Sequence, residues 1–159
     1  MKTADLCDAH PDLRVLAPIF RDYGGVLEFG GEIVTLKVYE DNALVRATLE
    51  TPGHGRVLVV DGVGSVRAAL VGGNLGKLAE TNGWSGIVIH GAVRDVAELA
   101  ACKVGVKALG STPKRGGRTG EGERDVILTF AGESCHSGDW LYADEDGIVI
   151  ADRPLDTSP

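Results

Sequence analysis

The chain has 159 residues, 43% apolar and 25% charged, a length and balance that suit one globular domain burying roughly 68–70% of its unfolded surface. A formal net charge of −7 and a pI near 5.0 set up a field that repels a phosphate backbone, which argues against a general nucleic-acid binder. Three separated cysteines without Cys-x-x-Cys spacing, Cys7, Cys102 and Cys135, fit a reducing cytoplasm, and no apolar run approaches the ~18–20 residues of a membrane span.

Residues 3–9 read as a short helix N-capped by Thr3 and stopped near Pro11, with acids where a signal peptide needs an apolar core. Gly24-Gly25 and Gly30-Gly31 bracket a strand at residues 26–29, and a second, β-branched strand follows at 33–38. Asp41-Asn42 caps a helix over 43–50 that Pro52-Gly53 ends. The apolar run at 56–60 has the character of a strand buried on both faces. It empties into Asp61-Gly62-Val63-Gly64-Ser65, which fails as a dinucleotide fingerprint because Arg67 stands where the third glycine belongs. A strand at 66–71, a helix at 74–82 closed by Gly83, a strand at 87–89, a helix at 95–101 and a strand at 104–109 give βα alternation.

Residues 110–123 lack periodicity and read as a mobile loop, carrying Lys114, Arg115 and Arg118 among glycines. An RNA-contacting arm would need aromatic partners, and Glu121 and Glu123 flank the cations instead. β-type segments at 125–130, 140–142 and 147–150 close the chain, with Asp144-Glu145-Asp146-Gly147 as a solvated turn and residues 154–159 as a frayed tail.

Two stretches carry the candidate chemistry. Gly72-Gly73-Asn74-Leu75 opens a helix, and about twenty residues on, Arg94-Asp95 follows a buried strand. Ligands of α/β domains collect outside the carboxyl ends of strands, where helix N-termini offer free N–H groups to anions. The plainer reading is that Asp95-Val96-Ala97-Glu98 is a capping box worth ~1 kcal/mol, with Arg94 a surface ion-pair former. His10, His54, His90 and His136 make no zinc pattern, and Ser65 is not in a nucleophile elbow. Cys135-His136 are neighbours on a strand and so point to opposite faces.

The chain resembles the family that includes 4-hydroxy-4-methyl-2-oxoglutarate aldolase and the regulator of ribonuclease activity A. The resemblance runs from about Thr3 to Leu155 and rests on Phe29-Gly30-Gly31, Glu40-Asp41-Asn42, the stretch from Gly55 to Gly62, Gly72-Gly73-Asn74-Leu75, Asn82-Gly83-Trp84, Gly91-Ala92-Val93-Arg94-Asp95 and the stretch from Gly138 to Asp144. It implies one domain over residues 1–159, an α/β sandwich of swivelling-domain type with β/β/α layers. It also implies a homotrimer with active sites between subunits. The activity implied is a metal-dependent lyase that cleaves 4-hydroxy-4-methyl-2-oxoglutarate to two pyruvates and decarboxylates oxaloacetate. In that role Gly72, Gly73, Asn74 and Leu75 would hold the 2-oxo acid substrate through main-chain N–H groups. Arg94 would bind its oxo-acid end, and Asp95 would ligate Mg²⁺ or Mn²⁺. Aldol-competent members tend to carry an acid where this chain has Gly73, a departure that bears on the aldol step more than on decarboxylation. The alternative is a protein-binding inhibitor of an RNA-degrading endonuclease. A quinone methyltransferase reading finds no cofactor loop.

Overall fold

A computed structural model describes residues 1–158; residue 159, the last of the expected tail, lies outside them. The elements are α1 (Thr3–Ala9), β1 (Arg14–Val15), β2 (Arg21–Asp22), β3 (Phe29–Lys37), α2 (Ala43–Leu49), β4 (Val57–Asp61), β5 (Ala69–Val71), α3 (Gly73–Thr81), β6 (Gly86–Val93), α4 (Val96–Ala100), β7 (Gly105–Ser111), β8 (Glu123–Arg124), β9 (Leu128–Phe130), β10 (Glu133–Cys135), β11 (Trp140–Asp144) and β12 (Gly147–Ala151). Among the described residues no helix is long and apolar enough to cross a membrane.

The centre is a parallel block, β3-β4-β6-β7, in which every residue of β4 is buried. Its side chains alternate between two cores with the period of two that a strand imposes. Leu58, Val60, Ile87 and Ile89 face α2, α3 and α4, packing on Val45, Leu49, Leu75, Ala79 and Leu99. Val57, Val59 and Val88 face the other way, onto Leu128, Phe130, Leu141, Ile148 and Ile150 of the antiparallel half. Each such side chain contributes roughly 1.5–3 kcal/mol on burial. The result is the expected β/β/α layering.

The sheet also curls, without its end strands pairing. Its order is β1-β12-β11-β3-β4-β6-β7-β2, so β1 and β2 lie at opposite ends although only residues 16–20 separate them. Five extended residues span at most ~18 Å, which forces the sheet to curl. Across the seam, Lys107 Nζ on β7 donates to the Asp144 carbonyl at 2.7 Å and pairs with Asp22 Oδ1 at 3.1 Å.

Several expectations need correction. Thr3 is not the cap of α1: Lys2 holds that position, and Thr3 donates its N–H and hydroxyl to the Asp144 carboxylate at 2.8 and 2.6 Å. Asp144 is therefore buried rather than a solvated turn residue. Of the two strands expected over 26–38 the first is absent, residues 26–28 being irregular, and the second, β3, begins at Phe29, because Gly30 and Gly31 do not break it. They admit the Tyr142 ring and the Gly55 carbonyl, against which a Cβ would collide. Residues 110–123 begin as the end of β7, and the rest is tied down. Asp41 accepts Thr119 N–H at 2.6 Å, Thr119 Oγ1 at 2.8 Å and Gly120 N–H at 3.2 Å, while Ala69 exchanges main-chain bonds with Lys114 and Gly116. In the tail, Leu155 N–H donates to Tyr142 Oη at 2.7 Å.

Candidate active site

Strand β6 positions the site. It pairs with β4 as far as His90 and then with β5 at Ala92 and Val93. Against β7, His90 and Gly91 together face the single residue Leu109, a bulge that bends the strand just before Arg94. The Arg94 N–H donates to the Val71 carbonyl at 3.0 Å, which sets Arg94 beside Gly72 at the start of α3.

Asp95 adopts the left-handed conformation, φ 58°, which aspartate tolerates better than most residues. It occupies the N-cap position of α4 but gives that helix no side-chain hydrogen bond, so the capping-box reading fails. Its Oδ2 instead accepts the Gly73 N–H at 2.9 Å, and Arg94 Nε lies 3.9 Å from the same oxygen. A Cβ on Gly72 would stand 2.7 Å from Asp95 Oδ2 and 3.2 Å from Arg94 Cγ, so only glycine admits the pair. The first intrahelical bond of α3 runs from Gly76 to Gly72, leaving the Asn74 and Leu75 N–H groups without an acceptor inside the helix. The site is an open shelf, its Arg94 and Asp95 side chains 36% and 39% exposed.

Glu98 is the neighbour of this cluster that sequence reasoning missed. A side chain on Gly73 would fall on the Glu98 carboxylate: Oε2 is the nearest atom, with Cδ at 2.9 Å. Glu98 has no ion-pair partner among the described residues. A carboxylate thus stands at the place vacated by Gly73, delivered from α4 rather than from α3. The Asp95-x-x-Glu98 spacing was the available signal, and it reads equally as a cap.

The other candidates are accounted for elsewhere. His90 Nδ1 meets Asp61 Oδ1 at 2.9 Å, and the ring stacks on Phe130 with centroids 4.7 Å apart. Burial alone would raise the Asp61 carboxyl, but the bonds from His90 and the Val63 N–H outweigh it and hold it below the usual value. In the Asp61-Ser65 loop the N–H groups of Gly62, Val63, Gly64 and Ser65 are all bonded internally, so none is left to cradle a phosphate. Cys135 is buried, its thiol pushed up to about 12 by burial first and Asp139 second, while His136 is exposed.

Among the described residues no group of three or more His, Cys, Asp or Glu would enclose a metal ion. The donors present suit a hard cation held by few protein ligands. Asp95 Oδ1 has no hydrogen-bond partner among the described residues, and Glu98 lies across Gly73. Mg²⁺ and similar ions keep several waters and take further oxygens from substrate.

The RraA-like family model (Aldolase/RraA) matches residues 3–150. A Burkholderia multivorans protein named "Putative 4-hydroxy-4-methyl-2-oxoglutarate aldolase" is 59% identical, covering 96% of this chain and 97% of its own. Among solved structures, one from Thermus thermophilus described as the RNA-processing inhibitor RraA is 46% identical with a TM-score of 0.96, over 99% of this chain and 96% of that one. One from Geobacillus kaustophilus, described as an S-adenosylmethionine:2-dimethylmenaquinone methyltransferase, is 48% identical with a TM-score of 0.94, over 98% and 97%. With the family model matched over residues 3–150 and a relative 59% identical along 96% of its length, the chain belongs to the RraA-like (Aldolase/RraA) family.

Proposed function

We infer that the protein is a divalent-metal-dependent lyase of short 2-oxo acids, cleaving 4-hydroxy-4-methyl-2-oxoglutarate to two pyruvates and decarboxylating oxaloacetate. The observation that carries this reading is the convergence of Arg94, Asp95 and Glu98 on the first turn of α3. The aldolase names of relatives at 56–59% identity support it.

The free Asn74 and Leu75 N–H groups and the positive end of α3 receive the substrate's 1-carboxylate. Arg94 adds charge-assisted bonds to the carboxylate or to the developing enolate oxygen, roughly 1.5–3 kcal/mol each. Asp95, its Oδ2 fixed by Gly73, would hold Mg²⁺ or Mn²⁺ through Oδ1. When bound, that ion supplies Lewis-acid stabilisation of the enolate worth several kcal/mol. In aldol cleavage the 4-hydroxyl proton passes to Glu98, directly or through a water, the C3–C4 bond breaks, and its electron pair becomes the pyruvate enolate. In decarboxylation the C3–C4 bond breaks, its electron pair stays on C3 as the pyruvate enolate, CO2 leaves, and no base is required.

The two reactions therefore separate at Glu98. Glu98→Gln is expected to lower aldol cleavage by ~10²–10⁴-fold while decarboxylation changes little, the range ordinarily lost with a general base. Equal losses in both reactions would reject the base assignment. The homotrimer implied by the family resemblance belongs to the same reading and is checked by mass measurement in solution.

The Thermus structure's description favours a second reading, inhibition of an RNA-processing enzyme. An acidic protein of net charge −7 is suited to basic protein segments. Metal-independent binding and inhibition of an RNA-degrading endonuclease, unaltered by Asp95→Ala, would support it.

A further inference from the structure

Residues 112–122 form a strap across the carboxyl edge of the parallel block. The Thr112 N–H donates to the Val93 carbonyl at 2.9 Å, next to Arg94. Lys114 O accepts from Ala69 N at 2.8 Å and Gly116 N donates to Ala69 O at 3.0 Å, three residues before Gly72. Gly117 then bonds to Glu40 O and Asn42 N, and the Asp41 carboxylate clamps Thr119 and Gly120. The strap is thus fixed by main-chain bonds to the two strands that lead into the site, and Lys114 lies two residues from Thr112, within ~7 Å of backbone.

Lys114 and Arg115 are exposed, and neither has a carboxylate partner among the described residues, in a chain whose formal charge is −7. Arg67 and Arg153, by contrast, are neutralised by Glu40 and Asp12. Unpaired cations held on a fixed backbone beside a site for one carboxylate offer a place for a second.

We propose that Lys114 and Arg115 bind the remote carboxylate of the substrate and make the site selective for dicarboxylic over monocarboxylic 2-oxo acids. The proposal rests on the lyase reading above. Arg94 and the α3 N-terminus receive the 2-oxo acid end common to both classes. The strap receives the carboxylate that only the longer substrate has.

The test compares two reactions of one active site. Cleavage of 4-hydroxy-4-methyl-2-oxoglutarate uses a dicarboxylate whose remote carboxylate survives the reaction. Exchange of the pyruvate methyl protons with D2O, followed by NMR, uses a monocarboxylate: a C3 proton leaves, the electron pair rests on the enolate, and a deuteron returns. Both are measured with Mn²⁺ on wild type, on Lys114→Gln/Arg115→Gln, and on Arg118→Ala, a cation of the same strap beside Asn42 and Arg46. The ratio of kcat/KM for 4-hydroxy-4-methyl-2-oxoglutarate to the exchange rate constant is expected to fall about tenfold or more in the double variant, through KM, and to hold in Arg118→Ala. An unchanged ratio in the double variant overturns the proposal and leaves the lyase reading intact. An equal fall in Arg118→Ala also overturns it, because general electrostatic steering then explains the effect. Wild type inactive in both reactions defeats the lyase reading itself and the strap's role with it.

Discussion

Gly72 and Gly73 are small for different reasons. At Gly72 the crowding atoms are Asp95 Oδ2 and Arg94 Cγ, so Gly72→Ala pushes apart the two groups proposed to hold substrate and cation. We expect turnover to fall at least ~10²-fold with a stability cost near 1 kcal/mol, since a small misplacement of a reacting group is enough for such a loss. Retained activity would show that Arg94 and Asp95 need not sit as found. At Gly73 the crowding group is Glu98, so an acid at either position fills the same space. Gly73→Asp alone is expected to destabilise the chain, whereas Gly73→Asp combined with Glu98→Ala is expected to regain part of the aldol activity that Glu98→Ala loses. Failure of the pair to exceed the single variant would separate the two positions chemically. That Gly72, Arg94 and Asp95 come together was legible in the sequence because they flank a strong strand and a strong helix. The place of Glu98 beside them was not, because it depends on Asp95 entering the left-handed region, which turns the capping-box residues of α4 toward α3.

At the scale of elements, the strap depends on one carboxylate. Burial would raise the Asp41 carboxyl, but the bonds from Thr119, Ala43 and Gly120 prevail and hold it below the usual value. Asp41→Asn keeps the shape but turns an acceptor into a donor facing the Thr119 and Gly120 N–H groups. A loss of about 1–3 kcal/mol is expected, together with faster amide exchange at residues 117–122. Exchange unchanged there would mean that the strap's main-chain bonds to Val93, Ala69, Glu40 and Asn42 hold it without the carboxylate. The main strands β4 and β6 and helix α3 were readable from continuous apolar runs and a glycine stop. The two-residue strands β1, β2 and β8 carry no pattern, being defined only by the partners that the curl brings to them. The strap read as a mobile loop for the same reason: its restraints are long-range bonds to Asp41 and Ala69 that composition does not reveal.

For the whole molecule, the curl of the sheet rests on the seam between β7 and β11. Lys107 is 3% exposed there and Asp22 is 25% exposed. Lys107→Ala is expected to cost about 3 kcal/mol in denaturant unfolding, the low end for a broken buried pair because Asp22 keeps some solvent. A cost below about 1 kcal/mol would make the seam an ordinary packing contact. The fold should also be acid-labile. Asp41, Asp61 and Asp144 each face burial that raises the carboxyl and hydrogen bonds that more than reverse it. Their folded-state values lie below the ordinary 3.8, so their stabilisation is complete above that value and disappears as pH falls through the lower folded ones. Urea midpoints are expected to be level near neutrality and to drop below about pH 4. Asp144→Asn, which loses the charged acceptor for Thr3, should flatten part of that drop.

The most direct measurement is pyruvate release from oxaloacetate and from 4-hydroxy-4-methyl-2-oxoglutarate, with Mg²⁺ or Mn²⁺ and with chelator, on wild type and Arg94→Ala. Turnover of both substrates by wild type, abolished by chelator and by the loss of Arg94, is the result expected of the lyase. Release no faster than the metal ion alone produces, and no slower in Arg94→Ala, would contradict it and leave the cluster on α3 as a structural feature of a regulatory protein.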